Sequence, residues 1–210
     1  VLHMASKRNV EDDILDAART CVEAFGVRRT TLTDVARRAG VSRPTVYRRW
    51  PDVTALVADL LTRELRTVLR EEEERAADDR PEEQARTRLV RHAGGVARAL
   101  ATHPLFTRVV DSEPELLATY TFHRLGTSHR AALEVIVPAV AQGQDDGSVR
   151  DGAPAVLARM VLVTVQNTVT ARRLFEDLLD EEALVEELTT LLDGYLAPAE
   201  HEHAPGRTHA

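Results

Sequence analysis

Apolar residues recur along most of this chain at the spacing of one face of an α-helix. Glycine, proline and capping residues interrupt the pattern and divide it into separate segments. The predicted helices cover residues 14–25, 31–40, 42–50, 52–75, 82–102, 116–140, 153–175 and 184–196, with the clearest loop at 142–154. Valines in 153–175 could suggest a strand, but the length of this apolar segment favours a buried helix. The pattern predicts an all-α fold.

The second and third predicted helices are short and are joined by a tight bend. Thr31 can cap the second helix, with Asp34 three residues further on, and Gly40 ends it. Ser42 can cap the third helix, and Pro44 lies in its first turn, where a missing N–H does no harm. Two such helices form a helix-turn-helix, whose second helix can lie in the major groove of DNA. Any helical hairpin with a glycine turn can imitate this pattern.

The third predicted helix, SRPTVYRRW over residues 42–50, has very little apolar surface. Val46 is its one obvious core residue, so the helix is poorly explained as a core element. Its three arginines could be ordinary solvated charges, but together they favour phosphate and base contact. For Tyr47 we weigh DNA contact above a half-buried core position.

The stretch TTLTDVARRAGVSRPTVYRRWPD, residues 30–52, resembles the DNA-binding signature of TetR-type transcriptional regulators. The layout is also similar, with one helix before the motif, a longer helix after it and an all-helical remainder. The resemblance implies an N-terminal three-helix helix-turn-helix DNA-binding domain at 9–53, with the motif at 31–50. A larger helical effector-binding and dimerisation domain would follow at 54–198. Residues 199–210 are expected to be a disordered tail.

The resemblance also implies roles in DNA binding. Arg43 would contact guanine O6 and N7, Pro44 and Thr45 a thymine methyl, and Tyr47 a base edge or phosphate. Other contacts, mostly to the DNA backbone, are expected from Arg28, Thr33, Arg37, Ser42, Arg48 and Arg49.

Several residues near the motif have structural interpretations. Leu32 and Val35 are expected to pack in the core, and Cys21 to be a small core residue. Trp50 takes the place of the family's usual aromatic that packs against the fourth helix. Val53 stands where members commonly carry a lysine that touches phosphate, so backbone N–H groups at that helix start would have to suffice.

The net charge of −7 argues against nucleic-acid binding until the chain is divided. The first 50 residues carry ten basic and six acidic residues, a balance of +4. The other 160 carry 17 basic and 28 acidic residues, a balance of −11. This asymmetry indicates a small basic module attached to an acidic body.

Composition excludes several classes of protein. A single cysteine among 210 residues excludes a disulfide framework. The apolar clusters fall short of the roughly 18 residues that span a bilayer, and no apolar stretch follows the basic residues near the start. We therefore expect a cytoplasmic protein without a membrane segment. Because translation does not begin at a valine, we expect Met4 to be the natural start.

No metal site, catalytic set or cofactor is expected. His123 and His129 are six positions apart, which is not one helix face, and the other paired candidates lie in the predicted tail at His201, His203 and His209. No catalytic triad, P-loop or glycine-rich dinucleotide fingerprint occurs.

By the resemblance, the body would bind a small effector between its middle helices and form a homodimer through its last two long helices. Candidate ligand contacts are His92, beside the pair Gly94–Gly95, and the polar residues Gln166, Asn167 and Thr170 within an apolar helix. The amides have an alternative role, since they can be satisfied at a helix-packing or dimer interface.

The sequence thus predicts a homodimeric repressor, released from a near-palindromic operator on double-stranded DNA by a small-molecule effector. Two alternatives stay open. The first is an effector-independent DNA-binding protein that organises the chromosome. The second is a helical small-molecule carrier or enzyme with an incidental helix-turn-helix.

Overall fold

The computed structural model describes residues 10–77, 82–112 and 127–199, and over these ranges the chain is helical without any strand. The helices are α1 (Val10–Phe25), α2 (Leu32–Ala39), α3 (Arg43–Arg49), α4 (Val53–Ala77), α5 (Ala85–Thr102), α6 (Pro104–Ser112), α7 (Thr127–Asp145), α8 (Pro154–Thr170) and α9 (Glu181–Leu196). The predicted all-α fold is confirmed. Residues 116–126 of the predicted helix at 116–140, and residues 200–210 of the predicted tail at 199–210, lie outside the described residues. None of the described helices is long and apolar enough to cross a membrane.

The predicted caps define the N-terminal helices. Thr31 Oγ1 accepts a hydrogen bond from the Asp34 N–H at 3.1 Å, which satisfies a donor at the start of α2. Gly40 ends α2 with a φ of +68°, a conformation that glycine adopts without steric cost. Asp52 Oδ1 accepts from the Ala55 N–H at 2.7 Å at the start of α4. These caps fix where α2 begins and ends and where α4 begins.

Helices α1 to α3, which we call the head, do not close their core alone. The first turns of α4 contribute Leu56 and Leu60, and α6 contributes Leu105 and Val109, all fully buried in the head cluster. A core of this kind gains stability from each apolar side chain removed from water. Residues of α4 beyond position 53 thus pack in the core of the head. The domain boundary at 53–54 stays a prediction.

Helices α5, α7, α8 and α9, which we call the body, pack around a second apolar cluster. Leu157 of α8 and Leu192 of α9 are among its most buried members. At Gly94 of α5, an added Cβ would lie 2.7 Å from Thr189 Cγ2 of α9. The close helix approach that the glycine pair suggested is therefore present between α5 and α9.

Helix α6 was not predicted, and the predicted ends of α7 and α8 and the predicted burial of α8 are wrong. Helix α7 continues to Asp145, beyond the predicted end at 140, although its internal Pro138 removes one helical N–H and crowds the carbonyl four residues before it. Helix α8 ends at Thr170 rather than at residue 175, and the chain tightens into a 3₁₀ turn at Arg172–Leu174. Helix α8 is also not buried all round, because the body covers only one of its sides.

Candidate DNA-binding surface and effector cavity

The exposed face of α3 is basic and carries one aromatic ring. Val46 is the one buried residue of α3. Arg43, Pro44, Tyr47 and Arg48 are exposed, and their i, i+4 spacing places them together on the face away from the core. Tyr47 is 52% exposed and belongs to the surface, so it is not a core residue. The arrangement offers a guanidinium, a ring and a hydroxyl to a partner outside the chain.

The neighbouring predicted contacts are partly engaged within the chain. Arg37 pairs with Asp34 at 2.8 Å, and Arg49 pairs with Glu11 of α1 at 3.1 Å. Both pairs are exposed, and such pairs contribute about 0–1 kcal/mol, so they yield easily to a phosphate. Arg28 is exposed, and Thr33 is half-buried.

Ser42 and Thr45 have structural roles at the start of α3. Ser42 Oγ caps the helix by accepting from the Thr45 N–H at 3.4 Å, and it lies 2.7 Å from Thr45 Oγ1. Thr45 is half-buried, while Ser42 is exposed. Both residues therefore lie at the edge of the exposed face of α3.

Trp50 fixes the direction of α3 against α4. The ring is fully buried, and its indole N–H donates to Asp59 Oδ2 at 2.9 Å. The packing role assigned to Trp50 is present. At the start of α4, Val53 is half-buried. The backbone N–H groups there were expected to bind phosphate in place of the missing lysine, and one of them, that of Ala55, already donates to Asp52.

An apolar cavity of about 180 Å³ lies where α4, α5, α6, α7 and α8 meet. The wall from α4 includes Leu61, Leu65 and Leu69, and α6 contributes Phe106 and Val109. Among the described residues that line the cavity, none is charged. The cavity therefore suits an apolar molecule.

Four polar side chains line the cavity, namely those of His92, His129, Gln166 and Thr170. His129 Nε2 lies 2.7 Å from Gln166 Oε1, and the Thr170 hydroxyl donates to the Gln166 carbonyl at 2.9 Å. Asn167 is exposed and is not part of the lining. Its grouping with Gln166 is corrected, because consecutive helical residues point about 100° apart.

Among the described lining residues, His92 is the one with a buried nitrogen that lacks a partner. Burial lowers its pKa, an effect that a hydrogen bond to the Leu69 backbone carbonyl opposes in part. The Nε2 atom has no hydrogen-bond partner in the described part of the chain. The interaction with the Leu69 carbonyl favours the proton on Nδ1, and in a neutral imidazole this leaves Nε2 as the acceptor. An unsatisfied buried acceptor costs about 1–3 kcal/mol.

The cavity and the head share residues. Val109 of α6 belongs to the buried head cluster and also lines the cavity. Leu61 of α4 is half-buried, packs against the same cluster and lines the cavity as well. Phe106 lines the cavity and makes an edge-to-face contact with His103, with ring centroids 5.2 Å apart. A change in the shape of the cavity therefore reaches the head through direct packing.

A buried carboxylate lies beside these residues. Glu64 of α4 is 7% exposed and pairs with Arg19 of α1 at 3.0 Å and with Arg63 at 2.9 Å. His103 Nε2 lies 3.6 Å from the same carboxylate. Burial lowers the pKa of His103, so its ring is neutral near pH 7 and the contact is not an ion pair there. Glu64 thus connects α1, α4 and the junction of α5 with α6.

Sequence reasoning missed Glu64 and His129. Glu64 continues the buried stripe of Leu56 and Leu60 at a spacing of four, and a charge on such a stripe is a signal of a buried ion pair. For His129 no local signal existed, because Gln166 lies 37 positions away. Within the described ranges, no three His, Cys, Asp or Glu side chains cluster as metal ligands.

Comparison with known proteins places this geometry in context. A sequence model of the bacterial regulatory proteins of the tetR family matches residues 14–60. The chain is 43% identical over 183 residues to the uncharacterized HTH-type transcriptional regulator Mb2274c of Mycobacterium bovis, covering 87% of this chain and 92% of that protein.

Two solved structures share the fold at low sequence identity. The transcriptional repressor QsdR of R. erythropolis, from the TetR family, superposes with a TM-score of 0.68 at 18% identity, over 92% of this chain and 98% of QsdR. The regulator FadR of Bacillus subtilis, in complex with stearoyl-CoA, superposes with a TM-score of 0.63 at 19% identity, over 88% and 98%.

The protonation of His92 gives a testable pH dependence. Its pKa is lowered in the folded protein and returns to about 6.5 on unfolding, so the unfolded chain takes up the proton first as the pH falls. We expect the free energy of unfolding to decrease from about pH 7.5 to about pH 5.5, and to decrease less in His92→Asn, because asparagine does not titrate. Urea unfolding followed by circular dichroism measures both. His103, whose pKa is also lowered, contributes equally to the two proteins. An equal decrease in both would contradict a buried, neutral His92.

Proposed function

The chain belongs to the TetR family of bacterial transcriptional regulators, and from that membership we propose that it is a homodimeric repressor released from a near-palindromic operator by a small effector. The observation that carries this proposal is the pair of residues, Val109 and Leu61, that pack in the head and also line the cavity. A protein of this kind acts in the cytoplasm, where its DNA lies.

The DNA-reading element of the proposal is α3. Its exposed face presents Arg43, Pro44, Tyr47 and Arg48 without an ion pair from the described part of the chain to either arginine. Arg43, at the first turn, reads a guanine in the major groove, and Tyr47 contacts a base edge or phosphate. Pro44 and Thr45 contact a thymine methyl. The remaining predicted contacts, mostly to the DNA backbone, fix the register, and they are Arg28, Thr33, Arg37, Ser42, Arg48 and Arg49.

The dimer interface of the proposal is the uncovered side of α8. Val156, Met160 and Val163 follow one another at spacings of four and three and are 58%, 47% and 47% exposed. On α9, Leu191 is 57% exposed. Apolar side chains at helical spacing on one exposed face favour an interface between copies, which two-fold symmetry makes self-complementary. Two heads related by that axis require a near-palindromic operator.

Release of DNA follows from a shift between conformations. An effector that binds better to one shape of the cavity favours the body conformations that fit it. Because α4 and α6 pack in both places, those conformations change the position of the head and the spacing of the two recognition helices. FadR, which shares the fold, forms a complex with stearoyl-CoA, and this supports a ligand-binding role for the body.

Substitution of Arg43 tests the DNA-reading face. The operator is obtained by selecting duplexes from a random pool with the purified full-length protein. We expect Arg43→Ala to bind the selected duplex about 5- to 150-fold more weakly, because one bidentate base contact is lost. Fluorescence anisotropy measures the affinity.

Arg66→Ala is the matched control, because it removes the same charge from an exposed position of α4 outside the head. The affinity of Arg66→Ala should stay close to that of the unsubstituted protein. Equal affinity of Arg43→Ala and Arg66→Ala would show that the α3 face does not read DNA.

Substitution of Val163 tests the dimer. A carboxylate at this position would be buried in the proposed interface without a partner, so we expect Val163→Glu to be monomeric while keeping its helical circular dichroism. Val10→Glu is the matched control, because Val10 is 49% exposed on α1, far from α8 in sequence. Light scattering after size-exclusion chromatography measures the mass. A dimeric Val163→Glu protein, or a monomeric unsubstituted protein, would rule out this interface.

A further inference from the structure

Within the described lining, the cavity offers a bound molecule no charged partner. Apart from four polar residues, its described lining consists of alanine, valine, leucine, isoleucine and phenylalanine. A carboxylate or ammonium group inside it would lose its hydration without gaining a counter-charge. Apolar portions of a ligand, by contrast, gain by leaving water. The lining therefore discriminates against ionised molecules.

The polar lining offers one open hydrogen-bonding position. His129, Gln166 and Thr170 have partners within the chain. His92 Nε2 is buried and has none in the described residues. Burial has the largest effect on the pKa of His92 and lowers it, while the charges of Glu73 and Arg91 act in opposite directions, so the ring is neutral near pH 7. The Leu69 carbonyl favours the proton on Nδ1, so we assign Nε2 as the acceptor.

The size of the cavity limits the molecule further. A dry apolar cavity of about 150 Å³ accommodates benzene in a well-studied engineered protein. The cavity of about 180 Å³ in this chain is slightly larger. It therefore suits one substituted ring or a chain of similar volume.

We propose that the cavity binds a neutral, mainly apolar molecule with a single hydrogen-bond donor, a hydroxyl or an N–H, that donates to His92 Nε2. That this molecule is the effector rests on the proposed function, whereas the class of ligand rests on the cavity itself. The donor distinguishes the ligand from a pure hydrocarbon, and its neutrality distinguishes it from a fatty acid anion.

Three probes of nearly equal shape separate these features. 4-Propylphenol is neutral and carries a donor, propylbenzene carries none, and 4-propylbenzoate is ionised near pH 7.5 because benzoic acids have a pKa close to that of a glutamate side chain, about 4. Isothermal titration calorimetry with the full-length protein and no DNA gives the three affinities. We expect 4-propylphenol to bind about 2- to 10-fold more tightly than propylbenzene. 4-Propylbenzoate should bind at least about 10-fold more weakly than 4-propylphenol.

The His92→Asn variant tests the assigned acceptor. Asparagine can keep a donor near Leu69 but has no group at the position of Nε2, so the preference for 4-propylphenol over propylbenzene should disappear. A second measurement uses the unsubstituted protein and is independent of how the variant folds. The ¹⁵N resonance of His92 Nε2 should move when 4-propylphenol is added and should move much less with propylbenzene.

The outcomes separate this inference from the proposed function. Tightest binding by 4-propylbenzoate, no binding of any probe, or an unmoved Nε2 resonance overturns the ligand class. If the binding order holds but 4-propylphenol does not release the selected duplex in anisotropy, the ligand class stands and the effector role of this site is overturned.

Discussion

Helix α4 must pack in two places at once, and the rest of the structure depends on this constraint. Its first turns bury Leu56 and Leu60 in the head, and its following turns place Leu61, Leu65 and Leu69 on the wall of the cavity. Sharp helix kinks occur at proline, glycine or a bulge, and α4 contains neither residue. A displacement at the cavity wall therefore reaches the head as a movement of the whole helix.

The ion pairs of Glu64 restrict the positions that α1 can take relative to α4 during that movement. A buried carboxylate is tolerated only while its partners remain, and loss of one partner costs about 3–5 kcal/mol. Arg19 of α1 and Arg63 of α4 supply the charges, and Arg63 also reaches Asp16 of α1 at 2.9 Å. Head positions that separate Arg19 from Glu64 are costly, so we expect a few defined positions of α1 relative to α4 rather than a continuous range.

The sequence predicted local structure well where the cause is local. Thr31, Gly40 and Asp52 set helix ends through their own side-chain and backbone chemistry, and those ends are confirmed. The cavity depends on five helices brought together from distant parts of the chain, so only three of its residues were predicted. Gln166 and Thr170 were predicted because they interrupt an apolar run, and His92 because it lies beside a pair of glycines. The exposed side of α8 was expected to be buried, because composition alone does not distinguish apolar side chains on an exposed face from those that face the core.

The central claim, that filling the cavity displaces the head from DNA, is tested most directly by a substitution that occupies the cavity permanently. Ala132 of α7 lines the cavity and is 4% exposed, while Ala131, equally buried, does not line it. The measurement is the affinity for the selected duplex of Ala132→Phe and Ala131→Phe, each checked to be folded and of unchanged mass. The account predicts that Ala132→Phe binds about 5- to 150-fold more weakly and that Ala131→Phe binds nearly normally. Unchanged affinity of Ala132→Phe, or equal losses in both variants, would contradict it.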